Sequence, residues 1–329
     1  MSIEYCYCMH TKLEHTGRKR NYPYSFVLLA LWLTLIFANK LAASELYFID
    51  AHSQVDHTVD NLELIIQRMD TAGVYRTILA SRSGRSPGEV ADFAEIHSER
   101  ILPAIRTKSG AYVKNHPKYY KKMRRQLDSG RFKAMAEILL YHAQKGDKAP
   151  EVVVYPDDKR VRFALSEAIE KGWPFVIHIE FASLWGQQRR RFMDAMEEML
   201  ATHPKHPFVL NHMGQLKPTG VGQLIEKYKN IYFLTAHTTP VIIRFSNQPW
   251  VNMFHGEVLA AKWKELILEH PDRFVFALDN VWDRHWEEFY LDQMEYWRKA
   301  MARLPLDVAH AVAHGNAERL WKISGKPNN

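Results

Sequence analysis

Cysteine is nearly absent. The chain has two, Cys6 and Cys8, both close to its start; past them no disulfide framework, thiolate nucleophile or cysteine zinc cage can be built, and any metal site must use histidine and carboxylates. Charge of one sign is also scarce, with 44 Lys and Arg against 37 Asp and Glu. A glycine-rich phosphate turn is missing where a doubly wound nucleotide-binding sheet would place it after its first strand, because the chain there reads "DAHSQVDH". No internal repeat, low-complexity tract or interdomain linker is found, so one domain is the simplest reading.

What is present is a globular composition. The 329 residues are 47% hydrophobic and 25% charged, enough to bury a large core. The only sustained apolar run, "FVLLALWLTLIFA" from Phe26 to Ala38, follows the basic Arg18-Lys19-Arg20 and precedes the small residues Ala42, Ala43 and Ser44. It is shorter than the roughly 20 residues of a spanning helix and suits a secretory signal. Residues 1–44 are therefore read as a signal peptide cleaved near Ala43, with an uncleaved membrane anchor as the alternative, and residues 45–329 as the mature domain. This implies export, to the periplasm or outside the cell, with membrane contact only if the leader stays on. A start at Met9 would shorten the unusually long stretch before the basic residues. The leader has five basic and two acidic residues, a net +3, which leaves +4 of the chain's +7 for the rest. That gives no argument for nucleic acid. The dense basic stretch "KYYKKMRRQ", Lys118 to Gln126, reads as the solvated face of a helix.

From Glu45 onward short apolar runs alternate with longer amphipathic segments. Strands are expected at Leu46 to Asp50, Tyr75 to Ser81, Ile101 to Thr107, Lys133 to Leu139, Pro174 to Phe181, Pro207 to Met213, Ile231 to His237 and Arg273 to Asn280. Helices between them have recognisable ends. Asp60 is expected to cap the helix that Gly73 closes, and Ser86-Pro87-Gly88-Glu89 reads as a capping box. Buried strands alternating with helices mark parallel βαβ units, and eight in about 280 residues match a single-domain α/β fold, the (β/α)8 TIM barrel.

Barrel sites form where strands end. Those positions hold Asp50, His52 and Gln54 after the first strand, Arg82 and Arg85 after the second, and Arg106 and Lys108 after the third. Glu137 lies on the fourth, His178 and Glu180 on the fifth, His212 on the sixth, His237 on the seventh, and Asp279 followed by Asn280 on the eighth. Buried His and Asp carry desolvation costs that partners or a metal must offset, so their gathering at one rim points to a shared polar site. By period two, Asp50 is expected to support His52 from beneath. Arg82 and Arg106 could hold an anionic substrate group. Trp185, Trp250, Trp282 and Trp286, in or beside the rim loops, could wall a pocket for a small molecule.

The motifs "DAH" (Asp50 to His52), "VIHIE" with His178, "VLNHMG" with His212, "ALDN" with Asp279 and "HGNAERLWKI" (His314 to Ile323) also carry a resemblance. From about Leu46 to Ile323 the chain resembles the amidohydrolase superfamily, in its amidohydrolase-related (amidohydrolase 2) branch. That branch includes hydrolases of cyclic substrates and aminocarboxymuconate-semialdehyde-type decarboxylases. The resemblance implies one divalent metal, commonly zinc, held by His52, His178 and Asp279, with His212 assisting substrate or nucleophile. The first strand of the family usually carries His-x-His, and Gln54 departs from it. An amide is a poorer zinc ligand than imidazole, although three protein ligands plus water still suit catalytic zinc.

The expected chemistry is metal-dependent hydrolysis of a small ester, lactone or amide, with zinc or manganese. Asp279 and His212 serve as base and oxyanion partner, and Glu137 as a second acid or a structural helper. Non-oxidative decarboxylation at the same site is the alternative enzyme. A metal-free barrel that only binds a ligand is the non-enzymatic one.

Overall fold

The computed structural model describes residues 46–144 and 150–327, so the leader read over residues 1–44 lies outside the described residues. Two parallel sheets carry the architecture. The first runs β1 (Phe48–Val55), β2 (Val74–Ser81), β3 (Ile101–Ile105) and β4 (Ala134–Met135) in that order. The second contains β5 (Ile138–His142), β6 (Val152–Val153), β7 (Phe175–Ile179), β8 (Phe208–Leu210), β9 (Ile231–Leu234) and β12 (Phe274–Val275). Its order is β12-β9-β8-β7-β5-β6, and only β6 pairs antiparallel. A small hairpin, β10 (Phe254–His255) with β11 (Val258–Leu259), stands apart from both.

Backbone hydrogen bonds join the two sheets at both seams. At one, Ala136 N–H donates to Ile105 O (3.0 Å) as the chain passes from β4 to β5. At the other, Ala51 N–H reaches Phe276 O (3.0 Å), Asp279 N–H reaches His52 O (2.8 Å) and Gln54 N–H reaches Asn280 O (2.7 Å). All eight strands expected from the sequence are therefore found, with the fourth broken into β4 and β5 around Glu137.

Two apolar clusters explain the alternation along these strands. The larger lies between strands and helices and includes Phe48, Phe175, Phe208, Phe233 and Phe276. The smaller takes Ile49 and Ala51, Ile78 and Ala80, Ala104, Ala134 and Ala136, Val176, Val209, Leu234 and Ala236, and Val275 and Ala277. Leu320 and Trp321 of the helix Asn316–Trp321 pack against this inner set. Small residues dominate it because strands curling on one another leave little interior volume.

The helix ends follow local chemistry. The capping box at Ser86 forms, with Ser86 Oγ accepting from Gly88 N–H and Glu89 Oε1 from Ser86 N–H, each 3.1 Å. Gly73 ends the helix Glu63–Ala72 in the left-handed region at φ 63°. That helix starts later than Asp60 would allow: Asn61, not Asp60, accepts the Glu63 N–H. The small hairpin comes just before the helix Ala261–Glu269. No helix among the described residues is long and apolar enough to cross a membrane.

One feature of β1 departs from simple alternation. Its register with β2 shifts between Asp50 and Ser53, so Ile49 and Ala51 face the inner cluster while His52 and Gln54 reach the rim. Asp50 consequently lies in the wall, not under the His52 ring. Its carboxylate accepts His52 N–H (3.2 Å), Leu278 N–H (3.0 Å) and Ser53 O–H (2.5 Å), stapling β1 to the strand that closes the ring. Burial pushes its carboxyl up to about 7 against the pull of those donors. Removing the staple orphans two buried backbone donors, at about 1–3 kcal/mol each. Asp50→Ala should therefore unfold at lower urea by about 2–5 kcal/mol, and Asp50→Asn, which keeps an acceptor, by less; equal stability of Asp50→Ala and the parent would show that the staple contributes nothing.

Candidate functional site

The rim gathers side chains that are all nearly inaccessible to solvent. His52, Gln54, Glu137, His178, Glu180, Asn211, His212, His237 and Asp279 are each buried. They come from β1, the β4–β5 break, β7 and the segments that follow β8, β9 and β12.

Glu137 is their common partner. Its Oε1 accepts the Lys108 ammonium and, at 3.3 Å, Gln54 Nε2. Its Oε2 meets Asn211 Nδ2 at 2.6 Å and His178 Nδ1 at 2.8 Å. Burial alone would raise its carboxyl, but Lys108 first and His178 next hold it well below the usual carboxylate range. Burial pulls Lys108 down from the ordinary lysine value, and the Glu137 charge opposes that.

Asp279 is the second anchor. Oδ1 accepts from Gln54 Nε2 at 2.8 Å and lies 3.4 Å from His52 Nε2; Oδ2 lies 3.2 Å from His212 Nε2. Burial and Glu137 both raise this carboxyl, yet His52 and His212 prevail and keep it below its usual value. The same carboxylates outweigh burial at His52 and raise that imidazole. His212 stays lowered, with burial the largest cause. Its Nδ1 meets Ala236 O at 3.2 Å, which fixes the ring with Nε2 facing Asp279 Oδ2.

The backbone is bent to make this arrangement. His212, His237 and Asp279 all lie in the left-handed region, at φ 53°, 56° and 53°. Non-glycine residues there cost of order 1–3 kcal/mol each and persist where the surroundings hold them, commonly at functional sites. The turn after β8 continues through Gly214 at φ 60°, where a Cβ would sit 2.5 Å from Leu210 Cδ2 and force that side chain to move. Above it, His212 and His237 stack at 4.8 Å between centroids, and Trp250 lies 4.6 Å from His212 and 5.2 Å from His237.

Gln54 answers for its own oddity. It does not present a lone pair to the cluster. Its amide nitrogen bridges Glu137 and Asp279, and its oxygen faces Arg82 Nη1 at 3.4 Å. A neutral donor thus ties two carboxylates.

Of the residues chosen from the sequence, the structure brings His52, Gln54, Arg82, Glu137, His178, His212, His237 and Asp279 together. It does not bring in Trp185, which is 77% exposed beside the helix Gly186–Thr202. The Asn280 side chain instead accepts from Gln293 Nε2 at 3.2 Å. Arg106 donates to the carbonyls of Lys108 (3.0 Å) and Arg85 (3.4 Å), outside the cluster. Asn211 and His142 escaped the sequence reading. Asn211 stands next to His212 at a strand end, a signal that was there to use; His142 lies beyond the expected end of its strand. Among the described residues, four groups of three have ligand atoms within 4.8 Å of one another: Glu137, His178 and His212; His142, His178 and Glu180; His212, His237 and Asp279; and His52, Glu137 and Asp279.

This fold agrees with what similarity to known proteins shows. A family model described as amidohydrolase matches residues 103–323, about two thirds of the chain, and the chain belongs to that family. The match begins in β3, so Gln54 falls outside it. Among curated proteins none is significantly similar. Solved structures share the fold at low identity. An uncharacterised TIM-barrel protein from Bordetella bronchiseptica is 15% identical with a TM-score of 0.58, over 84% of this chain and 99% of that one. The 2,6-dihydroxybenzoate decarboxylase from Rhizobium is 14% identical with a TM-score of 0.53, over 84% and 98%. An amidohydrolase from Burkholderia multivorans with bound zinc is 13% identical with a TM-score of 0.53, over 85% and 100%.

The Lys108–Glu137 pair can be isolated experimentally. Breaking a buried pair from one side leaves a charge uncompensated, at about 3–5 kcal/mol, whereas removing both partners costs less than the sum. Lys108→Met, Glu137→Gln and the double variant should show a coupling above about 1 kcal/mol in urea unfolding. Additive losses would mean that the ammonium is not Glu137's stabilising partner.

Proposed function

We propose that the chain is a metal-dependent hydrolase of a small ester, lactone or amide carrying an anionic group, acting at the rim of a single (β/α)8 barrel. The observation that carries this reading is His52 Nε2. It is buried without a hydrogen-bond partner, 3.4 Å from Asp279 Oδ1 and 3.6 Å from Glu137 Oε1. An imidazole nitrogen held between two buried carboxylates, with one lysine nearby, suits a divalent cation in both charge and donor type. His52, His178 and Asp279 would hold zinc or manganese; the structure groups His52 and Asp279 with Glu137 and sets His178 in the adjoining group with Glu137 and His212. When bound, the metal supplies Lewis acidity toward a carbonyl and toward water.

The chain's own groups supply the rest. Asp279, kept ionised, receives the proton of the attacking water and returns it to the leaving group. His212 Nε2, facing Asp279 Oδ2, can relay that proton on its way to the leaving group. Gln54 fixes the separation of Asp279 and Glu137. Arg82, beside Gln54, and Lys108 offer positive charge to a substrate carboxylate, and Trp250 shields His212 and His237 from water. The same two cations favour a second reading, non-oxidative decarboxylation, in which they grip the carboxylate that departs. Release of carbon dioxide without a hydrolysis product would select it. With either reaction we place residues 1–44 as an export leader; an intact Met1 or Met9 on soluble cytoplasmic protein would reject that placement.

Metal content decides first. Protein purified without chelators should carry about one equivalent of zinc or manganese by elemental mass spectrometry, lost in His178→Ala. Gln54→His should bind zinc about tenfold more tightly or better, since it replaces an amide by an imidazole. Metal in none of the three proteins would turn the reading to metal-free acid–base chemistry or to a binding role.

A further inference from the structure

Away from the rim cluster, a cavity of about 420 Å³ lies between the start of the helix Pro87–Ile96, the loop after β3 and the helix Lys118–Asp128. Its volume falls within the range of small-molecule pockets. Its charge is one-sided. Arg106, Lys108, Lys122, Arg125 and Arg131 line it, and no carboxylate does. Arg131 is neutralised by Asp92 and Glu95, and Lys108 by Glu137. Arg106, Lys122 and Arg125 have no carboxylate partner among the described residues, and Arg106 gives its hydrogen bonds to carbonyls alone. A half-buried guanidinium without a counter-charge is costly unless something anionic comes to it.

Beside the polar Ser86, Thr107, Ser109, Gln126 and Ser129, the lining has an apolar part. Pro87, Tyr119, Met123 and Phe132 supply it, and the Tyr119 hydroxyl is buried without a hydrogen-bond partner. Tyr119, Lys122, Met123 and Gln126 recur at three and four residues, which sets them on one face of the helix Lys118–Asp128. Gln126 fixes the opposite wall: its Oε1 accepts Arg106 N–H at 2.9 Å and its Nε2 donates to Arg106 O at 3.2 Å. Burial, and then the nearby Arg82 charge, lower the Arg106 guanidinium from its ordinary value, the response of a cation short of negative neighbours.

We propose that this cavity is a binding site for an aromatic anion, its carboxylate or phosphate head among Arg106, Lys122 and Arg125 and its ring against Tyr119, Met123 and Phe132. The site is separate from the rim cluster and does not depend on the reaction assigned to it. Lys108 touches both, so an anion seated here lies beside the ammonium that neutralises Glu137.

Isothermal titration of the full chain with 1-naphthyl phosphate tests the proposal. Saturable binding is expected, weakened by added salt and at least about tenfold weaker for neutral 1-naphthol. Lys122 and Arg125 are exposed, so Lys122→Gln/Arg125→Gln should fold as the parent does and lose about tenfold or more in affinity. His178→Ala should bind as the parent does. No binding by the parent, equal affinity in the Lys122→Gln/Arg125→Gln variant, or loss of binding in His178→Ala would each overturn the site, the last by placing the anion in the rim cluster. None of these results bears on metal content, so failure here and failure of the hydrolase reading are told apart.

Discussion

A carboxylate shut away from solvent must be met by donors, and Glu137 is met by four from four separate segments: Gln54 on β1, Lys108 after β3, His178 on β7 and Asn211 after β8. Glu137 itself sits where the chain leaves one sheet and enters the other. The interaction therefore works on two levels. It reconciles a buried charge with its surroundings, and it draws the ends of distant strands to one point, which is what a rim site needs. The register shift in β1 serves the same end, since without it the β1 residues at the rim would be the inner cluster's small neighbours instead of His52 and Gln54.

The molecule concentrates its strain where its polar groups meet. Left-handed backbone at His212, His237 and Asp279 aims three side chains that a regular strand would point elsewhere. Elsewhere the scaffold is an inner layer of alanine and valine with phenylalanines between strands and helices, and among the described residues the other non-glycine positions in the left-handed region are Asn115, Met213, Gln215 and Lys322. That contrast between orderly scaffold and bent rim is the arrangement expected when binding or catalysis is built on a stable frame.

Much of this could be read directly from the residues. Apolar runs and caps locate all eight strands and most helices, because burial on both faces leaves a plain hydropathy signal. His52, His178, His212 and Asp279 announce themselves by falling at strand ends. What could not be read depends on geometry that leaves no periodic trace. The shift between Asp50 and Ser53 breaks the rule of two, so Asp50 becomes a staple in the wall instead of a support beneath His52. Lys108 and Arg106 look alike two positions apart, yet one reaches Glu137 and the other gives its guanidinium to the carbonyls of Lys108 and Arg85. Trp185 resembles a pocket wall by position and stands in solvent, because nothing local in sequence says which way a loop tryptophan turns.

Gln54 has a further consequence for acid tolerance. A histidine bridging Glu137 and Asp279 would change its number of protons as the medium acidified, and the bridge would strengthen or fail with it. An amide has no proton to gain or lose across that range. The link between the two carboxylates is therefore indifferent to acidity for as long as they remain ionised, and their surroundings hold both below the ordinary carboxylate value. Gln54 thus gives the rim a crosslink that does not titrate.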